Sequence, residues 1–299
     1  MVAALRISGS SIVGIPAPLP SKLLEGVTQG PLVLWEPGNP NNYYTGLPAD
    51  GATMPNLAKT WAQTTIGADP GDLIVSNGIT AGSAKAKLER TTKGGLHVMQ
   101  SQLNQDTTYQ QFRIQMAANL LAYINSRPND SWYLGCWMTK TRQFASGYTG
   151  SHSIFGLTRA SGDPNFAAAD RWLTAGPNST SSHYTIGPAT GDARLLGSLA
   201  NDVALAGLKM FVSVGANAQP ASWTTAVSDL IFAGPRISSN VNKFPSVILY
   251  RVYLENLTAS GRSFNTVATI DSNEYTNQML SVPGYYYNDA NSTPSAVLP

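Results

Sequence analysis

The stretch Ser246 to Arg262, SVILYRVYLENLTASGR, constrains the fold more than any other. Ile248, Tyr250, Val252 and Leu254 fall on one face of a period-two strand, and Val247, Leu249, Arg251, Tyr253 and Glu255 fall on the other. At least one of those faces must be buried. Asn256 to Gly261 then breaks the alternation with residues that satisfy backbone groups locally or accept positive φ, which ends the strand in a tight turn. Arg251 and Glu255 stand roughly 13 Å apart along such a strand, so each needs partners on neighbouring strands rather than the other. A sheet cannot bury an unpaired guanidinium. Arg251, Tyr253, Glu255 and Arg262 are therefore read as structural residues that bond carboxylates or carbonyls nearby.

The rest of the chain repeats the strand rhythm. Leu32–Trp35 is a short apolar run before a long ordered loop over residues 37–55, and Asp72–Ser76, Lys87–Arg90, Leu96–Gln100, Tyr109–Met116, Ser153–Leu157, Leu208–Val214 and Val227–Phe232 are short strand candidates between Gly-containing turns. Ser131 to Thr141 places Trp132, Leu134, Cys136 and Met138 on one face and Tyr133, Trp137 and Thr139 on the other, as in a strand covered on both sides. Ala117–Asn125 is the one helix, stopped before Arg127-Pro128. Spacing predicts roughly ten to twelve strands in an all-β chain.

Three regions follow from composition along the chain. Residues 1–30, rich in Pro and Gly, form an extended N-terminal arm. Its apolar side chains need a surface, which either a neighbouring subunit, within the roughly 100 Å that thirty extended residues reach, or an added strand on the subunit's own sheet can supply. Residues 31–284 form one β domain, and residues 285–299 an extended C-terminal tail.

Charged residues make up 12% of the 299, well below the usual quarter, and Ser, Thr, Asn and Gly fill the polar positions instead. Such a surface suits contact with other proteins or with sugars, because uncharged hydroxyls and amides desolvate cheaply. A net charge of +2 and a basic set no denser than Lys85, Lys87, Arg90 and Lys93 argue against nucleic acid. Cys136 is the single cysteine, so no intrachain disulfide forms, and its apolar neighbours predict a buried thiol. No apolar run is long enough for membrane insertion, and no basic-then-apolar leader opens the chain, which points to a soluble protein made in a cytoplasm.

The reactive residue types and their spacing predict no enzyme. Glu25, Glu36, Glu89, Glu255 and Glu274 are isolated from other carboxylates in sequence, unlike the paired acids of glycoside hydrolysis. There is no G-x-S-x-G, and Ser151-His-Ser153 reads as a turn. His97, in a strand candidate, reads as a hydrogen-bonded structural histidine. No metal site of the His or Cys type and no cofactor is expected, and Asp163, Asn165 and Asp170 lack the full acidic pattern of a calcium loop. A host-surface glycan remains a candidate ligand. The loops of the middle of the chain carry Tyr148, His152, Trp172, His183 and Tyr184 among amides and hydroxyls, the residue types of a sugar platform.

One resemblance adds to this reading. Tyr250-Arg-Val-Tyr-Leu-Glu-Asn-Leu-Thr-Ala-Ser-Gly-Arg262, followed by Phe264, Asp271 and Tyr275, resembles the C-terminal part of bacteriophage and prophage virion structural proteins with a concanavalin A-like (lectin/glucanase) jelly-roll domain. Gly46–Gly51 and Glu89–His97 echo it more weakly. The resemblance implies a jelly-roll β-sandwich with one short helix and extended terminal arms. It also implies a virion location as a capsid decoration, tail or fibre-associated subunit, with other virion proteins and further copies of itself as partners. It hands over no catalytic residue, and the alternative of a glycan-active enzyme rests on analogy with that superfamily alone.

Overall fold

The computed structural model describes residues 21–39, 46–106, 108–143, 145, 155–158, 171–176, 184–186, 194–196, 208–216, 229–235 and 241–299. The chain is mostly β, with antiparallel sheets and a few short helices.

Fourteen strands occur among the described residues. They are β1 (Pro31–Trp35), β2 (Thr53–Met54), β3 (Leu73–Asn77), β4 (Ala86–Arg90), β5 (Leu96–Gln100), β6 (Phe112–Gln115), β7 (Trp132–Arg142), β8 (Phe155–Thr158), β9 (Arg171–Gly176), β10 (Tyr184–Ile186), β11 (Arg194–Leu196), β12 (Leu208–Ala216), β13 (Asp229–Ala233) and β14 (Ser246–Asn256). Sheet A runs β11-β12-β7-β14-β5-β4, with β1 also on β14. Sheet B runs β10-β9-β8-β13-β6-β3-β2. The main apolar core draws Trp132, Leu134 and Leu254 from sheet A and Val75, Phe112 and Ile231 from sheet B, so it fills the space between the two sheets.

β7 and β14 are the central pair of sheet A, and both are buried on both faces. In β7 the division follows strict alternation: Trp132, Leu134, Cys136 and Met138 enter the core between the sheets, while Tyr133 and Trp137 join aromatic clusters on the other side. β14 departs from the alternation its sequence suggests. Val247 and Leu249 face the core, and so do Val252 and Leu254, although the two pairs have opposite parity. The pairing with β7 explains this, for Leu249 lies opposite Met138 and Arg251 opposite Trp137, which leaves Tyr250 as an extra residue. A β-bulge of this kind inserts one residue and reverses the faces beyond it. Its consequence is that Tyr250 joins the outer aromatic cluster and the next residue, Arg251, stacks on Trp137 of that same cluster.

That outer face of sheet A is not left to solvent. Helix α3 (Leu257–Ser260) and helix α4 (Phe264–Tyr275), the latter continued by a π-helical turn at Thr276–Leu280, follow β14 directly. Asn256 caps α3 by accepting the Ala259 N–H at 3.0 Å, and Gly261 ends it in the left-handed region at φ 71°. Ser263 caps α4 in the same way through the Thr266 N–H. α4 buries Phe264, Val267, Ala268, Asp271 and Tyr275, a stripe at helical spacing that contains one carboxylate.

Further helices are α1 (Lys59–Ile66), α2 (Ala118–Asn125) and α5 (Pro294–Val297). The expectation of one short helix thus holds for α2 and misses the others. Both ends of the chain, where they are described, pack on the folded body. Leu23 is fully buried, the Trp61 indole donates to the Val27 carbonyl, and Gly30 N–H donates to the Thr65 hydroxyl, so residues 21–30 belong to the folded body. Residues 285–299 lie across sheet A with Tyr286 and Leu298 buried. Residues 1–20 of the expected arm lie outside the described residues.

Leu249 and Leu254 would sit on opposite faces of an unbroken strand, yet the bulge sends both into one core. Leu249→Ala and Leu254→Ala should each lower unfolding free energy by about 2–5 kcal/mol. Urea denaturation reads this, and a loss below about 1 kcal/mol at either site would contradict the placement.

Candidate functional site

The densest polar chemistry in the described residues lies on the outer face of sheet A, where α4 meets the centre of the sheet. Tyr133, Gly135 and Trp137 stand in a row on β7, and only the middle position lacks a side chain. A Cβ on Gly135 would overlap the Asp271 carboxylate, so the glycine forms a slot into which α4 lowers that group. Gly215, opposite Tyr133 on β12, makes equal room for the Phe264 ring. Inside the slot Asp271 accepts from the Tyr133 hydroxyl at 2.7 Å and from the Trp137 indole N–H at 2.9 Å. Burial pushes the Asp271 carboxyl up to about 6, with Arg251 and the two aromatic donors opposing that rise and Glu274 adding to it. Burial, together with the facing carboxylate, also holds the Tyr133 phenol well above its ordinary range, so it stays a donor.

Arg251 is the cation of this site. Its guanidinium lies 3.5 Å from the centre of the Trp137 ring, binds Glu36 through both Nε and Nη2, meets Glu274 Oε2 at 2.5 Å, and reaches Asp271 at 3.5 Å. Burial alone would push the guanidinium's pKa down, but Glu36, Glu274 and Asp271 outweigh it and hold the group firmly charged. The anions have further donors. Glu36 accepts from the Asn39 amide at 2.9 Å, and Glu274 accepts from the Ser21 hydroxyl at 3.0 Å and the Lys22 N–H at 2.5 Å. One strand residue therefore ties together the segment after β1, helix α4 and the start of the described chain. Arg251 and Asp271 both shift upward, which an isolated pair would not do. The geometry accounts for it: the guanidinium spends its short bonds on Glu36 and Glu274 and leaves Asp271 only a long contact.

A second cluster closes the end of the same strand. Glu255, fully buried, accepts from Arg262 Nε at 2.9 Å and Nη2 at 2.5 Å and from the Tyr253 hydroxyl at 2.6 Å. Arg262 also donates to the Leu23 carbonyl at 2.9 Å. Arg251, Tyr253, Glu255 and Arg262 thus fall into two adjoining networks rather than one, with Arg251 in the first and the other three in the second.

The third arrangement is a relay on β4, β5 and β7. His97, with no solvent exposure, places Nδ1 2.8 Å from Glu89 and Nε2 2.7 Å from the Thr141 hydroxyl. Burial lowers the imidazole pKa, with Glu89 opposing, so the ring is neutral. An ionised carboxylate only accepts, which puts the ring proton on Nδ1 and makes Nε2 the acceptor for Thr141. Ser292 closes the far side of Glu89 with its N–H at 2.8 Å and hydroxyl at 2.6 Å. The order acid, imidazole, hydroxyl is that of a nucleophilic relay. Here the buried ring and the seated Ser292 make it a brace between three strands and the C-terminal segment.

The five residues read as a sugar platform are not brought together by any described contact. Tyr148, His152 and His183 lie outside the described residues. Trp172 lies on β9 and Tyr184 on β10, neighbouring strands at one end of sheet B, where backbone placement alone is given. The residues that sequence reasoning passed over are Glu36, Glu274 and Asp271, whose roles appear only once α4 is laid on the sheet. Among the described residues, no group of three or more His, Cys, Asp or Glu is arranged to hold a metal ion, and no helix is long and apolar enough to cross a membrane.

No protein family and no curated protein matches the chain. Among solved structures it is similar to Trypanosoma rangeli sialidase in complex with the inhibitor DANA, at 11% identity and a TM-score of 0.35 over 76% of this chain and 32% of the sialidase. It is also similar to the same sialidase with 2,3-difluorosialic acid as the covalent intermediate, at 12% identity and a TM-score of 0.37 over 79% and 33%. The chain spans about a third of the length of these neighbours. At TM-scores of this size the likeness transfers neither fold nor activity.

Removing Arg251 would leave its carboxylates buried without their cation. Arg251→Ala should cost about 3–5 kcal/mol of stability in chemical denaturation, and a change under about 1 kcal/mol would show that the cluster does not hold the fold. Asp271 supplies a pH test with a definite sign. Its folded pKa of about 6 exceeds the unfolded value of 3.8, so the folded state binds the extra proton and gains stability as pH falls from about 6 towards 4. Asp271→Asn should lose that gain. Parallel pH–stability profiles of the two proteins over this interval would contradict the assignment.

Proposed function

We propose that the chain is a structural subunit of a bacteriophage-type virion, a concanavalin A-like jelly-roll sandwich acting as a capsid decoration, tail or fibre-associated protein through contacts with other virion proteins and with copies of itself. The observation that carries this reading is the use made of the Tyr250–Arg262 motif. Its charged residues are spent inside the subunit, with Arg251 held by Glu36, Glu274 and Asp271 and Arg262 held by Glu255. A strand whose ionic groups are consumed in fixing a helix and a chain terminus to a sheet supports a rigid building block rather than a reactive centre. The virion location and the synthesis in a host cytoplasm rest on the sequence resemblance.

A second reading is a glycan-recognition module of a phage tail. It is favoured by the adjacency of β9 and β10, which puts the Trp172 and Tyr184 positions on neighbouring strands at one end of sheet B. Retention on a glycan array that is lost in Trp172→Ala would establish it, and no retained glycan would remove it.

The assembly reading makes two demands. The protein should be present at stoichiometric level in purified particles, and a protein absent from particles would defeat the proposal. Deleting residues 1–20 should leave a folded subunit that no longer incorporates, because the deletion stops short of the Ser21 and Lys22 bonds to Glu274. Unchanged incorporation would dismiss the arm as an assembly device.

A further inference from the structure

We propose that residues 287–293 form an acid-released strap over the edge of sheet A, held by two carboxylates, Glu89 on β4 and Asp289 on the strap itself. The polar contacts of this stretch converge on those two groups. Glu89 accepts from the Ser292 N–H and hydroxyl. Asp289 accepts from the Thr92 hydroxyl at 2.9 Å, the Lys93 N–H at 2.8 Å and the Tyr250 hydroxyl at 3.1 Å. The bonds around them are backbone contacts of modest number: Thr92 N–H to the Ala290 carbonyl and the Lys93 ammonium to the Tyr287 carbonyl, with the Ala290 N–H returning to the Thr92 hydroxyl.

The two ends of the C-terminal segment are anchored differently. Tyr286 is buried against Tyr250 and Tyr285, with ring centres 4.9 Å apart in each case. At the other end Leu298 is buried, Arg142 donates to the Leu298 carbonyl, and the Pro299 carbonyl accepts from Gln102 N–H and the Ser101 hydroxyl. None of these depends on an ionised carboxylate. Weakening the bonds to Glu89 therefore loosens the middle of the segment while both ends stay pinned.

His97 couples the strap to the sheet. The charged and titratable groups facing it are Glu89 and Lys87 from β4 and Asp289 from the strap, while β7 presents the neutral Thr141 hydroxyl. Glu89 is held below its ordinary value: burial raises it, but the bonds from Ser292 and His97 more than offset that. Both shifts act in the same direction. A histidine depressed by burial loses its stabilising contribution as pH falls below 6.5, and a glutamate depressed by its donors loses its contribution as pH falls below about 4.5. Acid weakens the strap on both counts, opposite in sign to Asp271 under α4. Two regions of the same outer face thus respond to protons with opposite sign, the helix α4 contact tightening and the strap loosening.

Hydrogen exchange followed by mass spectrometry on the intact chain at pH 7 and pH 3.5, corrected for the intrinsic pH dependence of exchange, tests this. Peptides covering 287–293 should exchange roughly tenfold faster at pH 3.5 while β7 and β14 keep their protection. Glu89→Gln should show the fast strap already at pH 7. Ser292→Ala, at a partly exposed position, should do the same if the Glu89 variant fails to fold. A strap whose corrected exchange is equal at the two pH values, or that opens only together with β7 and β14, would overturn the proposal.

Discussion

Everything on the outer face of sheet A depends on keeping one guanidinium charged without water. Arg251 achieves this by resting on an indole and facing carboxylates from two separate parts of the chain. Burying an ion costs several kcal/mol, and only partners that are themselves fully hydrogen-bonded can offset it. Glu36 and Glu274 meet that condition through Asn39, Ser21 and Lys22. The ionic site is therefore less a source of net stability than a gauge of position. It tolerates one placement of α4 and one path for the chain before β1.

The bulge at Tyr250 makes that site possible. Without the inserted residue, Arg251 would share the face of Val247 and Leu249 and enter the apolar core between the sheets. The irregularity turns a core-breaking residue into the centre of the outer layer. Gly135 answers it from the next strand, since the slot that receives Asp271 exists only where β7 carries no side chain. Two local departures from a regular sheet, one added residue and one missing side chain, thus fix where the helix sits.

Much of the framework is legible in the residues, because its signals are local. The alternation of Trp132 to Met138 identifies β7 and both its buried faces, and AANLLAYIN identifies α2. That Arg251 needs partners follows from its place in a buried strand. Their identity does not, since Glu36 is 215 residues away and reaches Arg251 only through the pairing of β1 with β14. α4 escapes a reading based on apolar periodicity because Asp271 occupies a position in its buried stripe and Thr and Asn, weak helix formers, fill its other sides. The bulge escapes for another reason: Val, Ile, Leu and Tyr fit either face, so the sequence of β14 satisfies both registers until Arg251 is placed against Trp137. The platform residues Tyr148, His152 and His183 lie beyond what the described residues address.

A double-mutant cycle between Arg251 and Glu36 tests the central claim most directly, because the two share a buried ion pair and lie on different strands or their flanks. Stability would be measured for Arg251→Ala, Glu36→Ala and the double variant by urea denaturation. The account predicts a coupling of roughly 2 kcal/mol or more, with the double variant less destabilised than the sum of the two single ones. Additivity within about 0.5 kcal/mol would mean that the two residues contribute independently, and the buried guanidinium would then not be the constraint on which the outer face of sheet A is built.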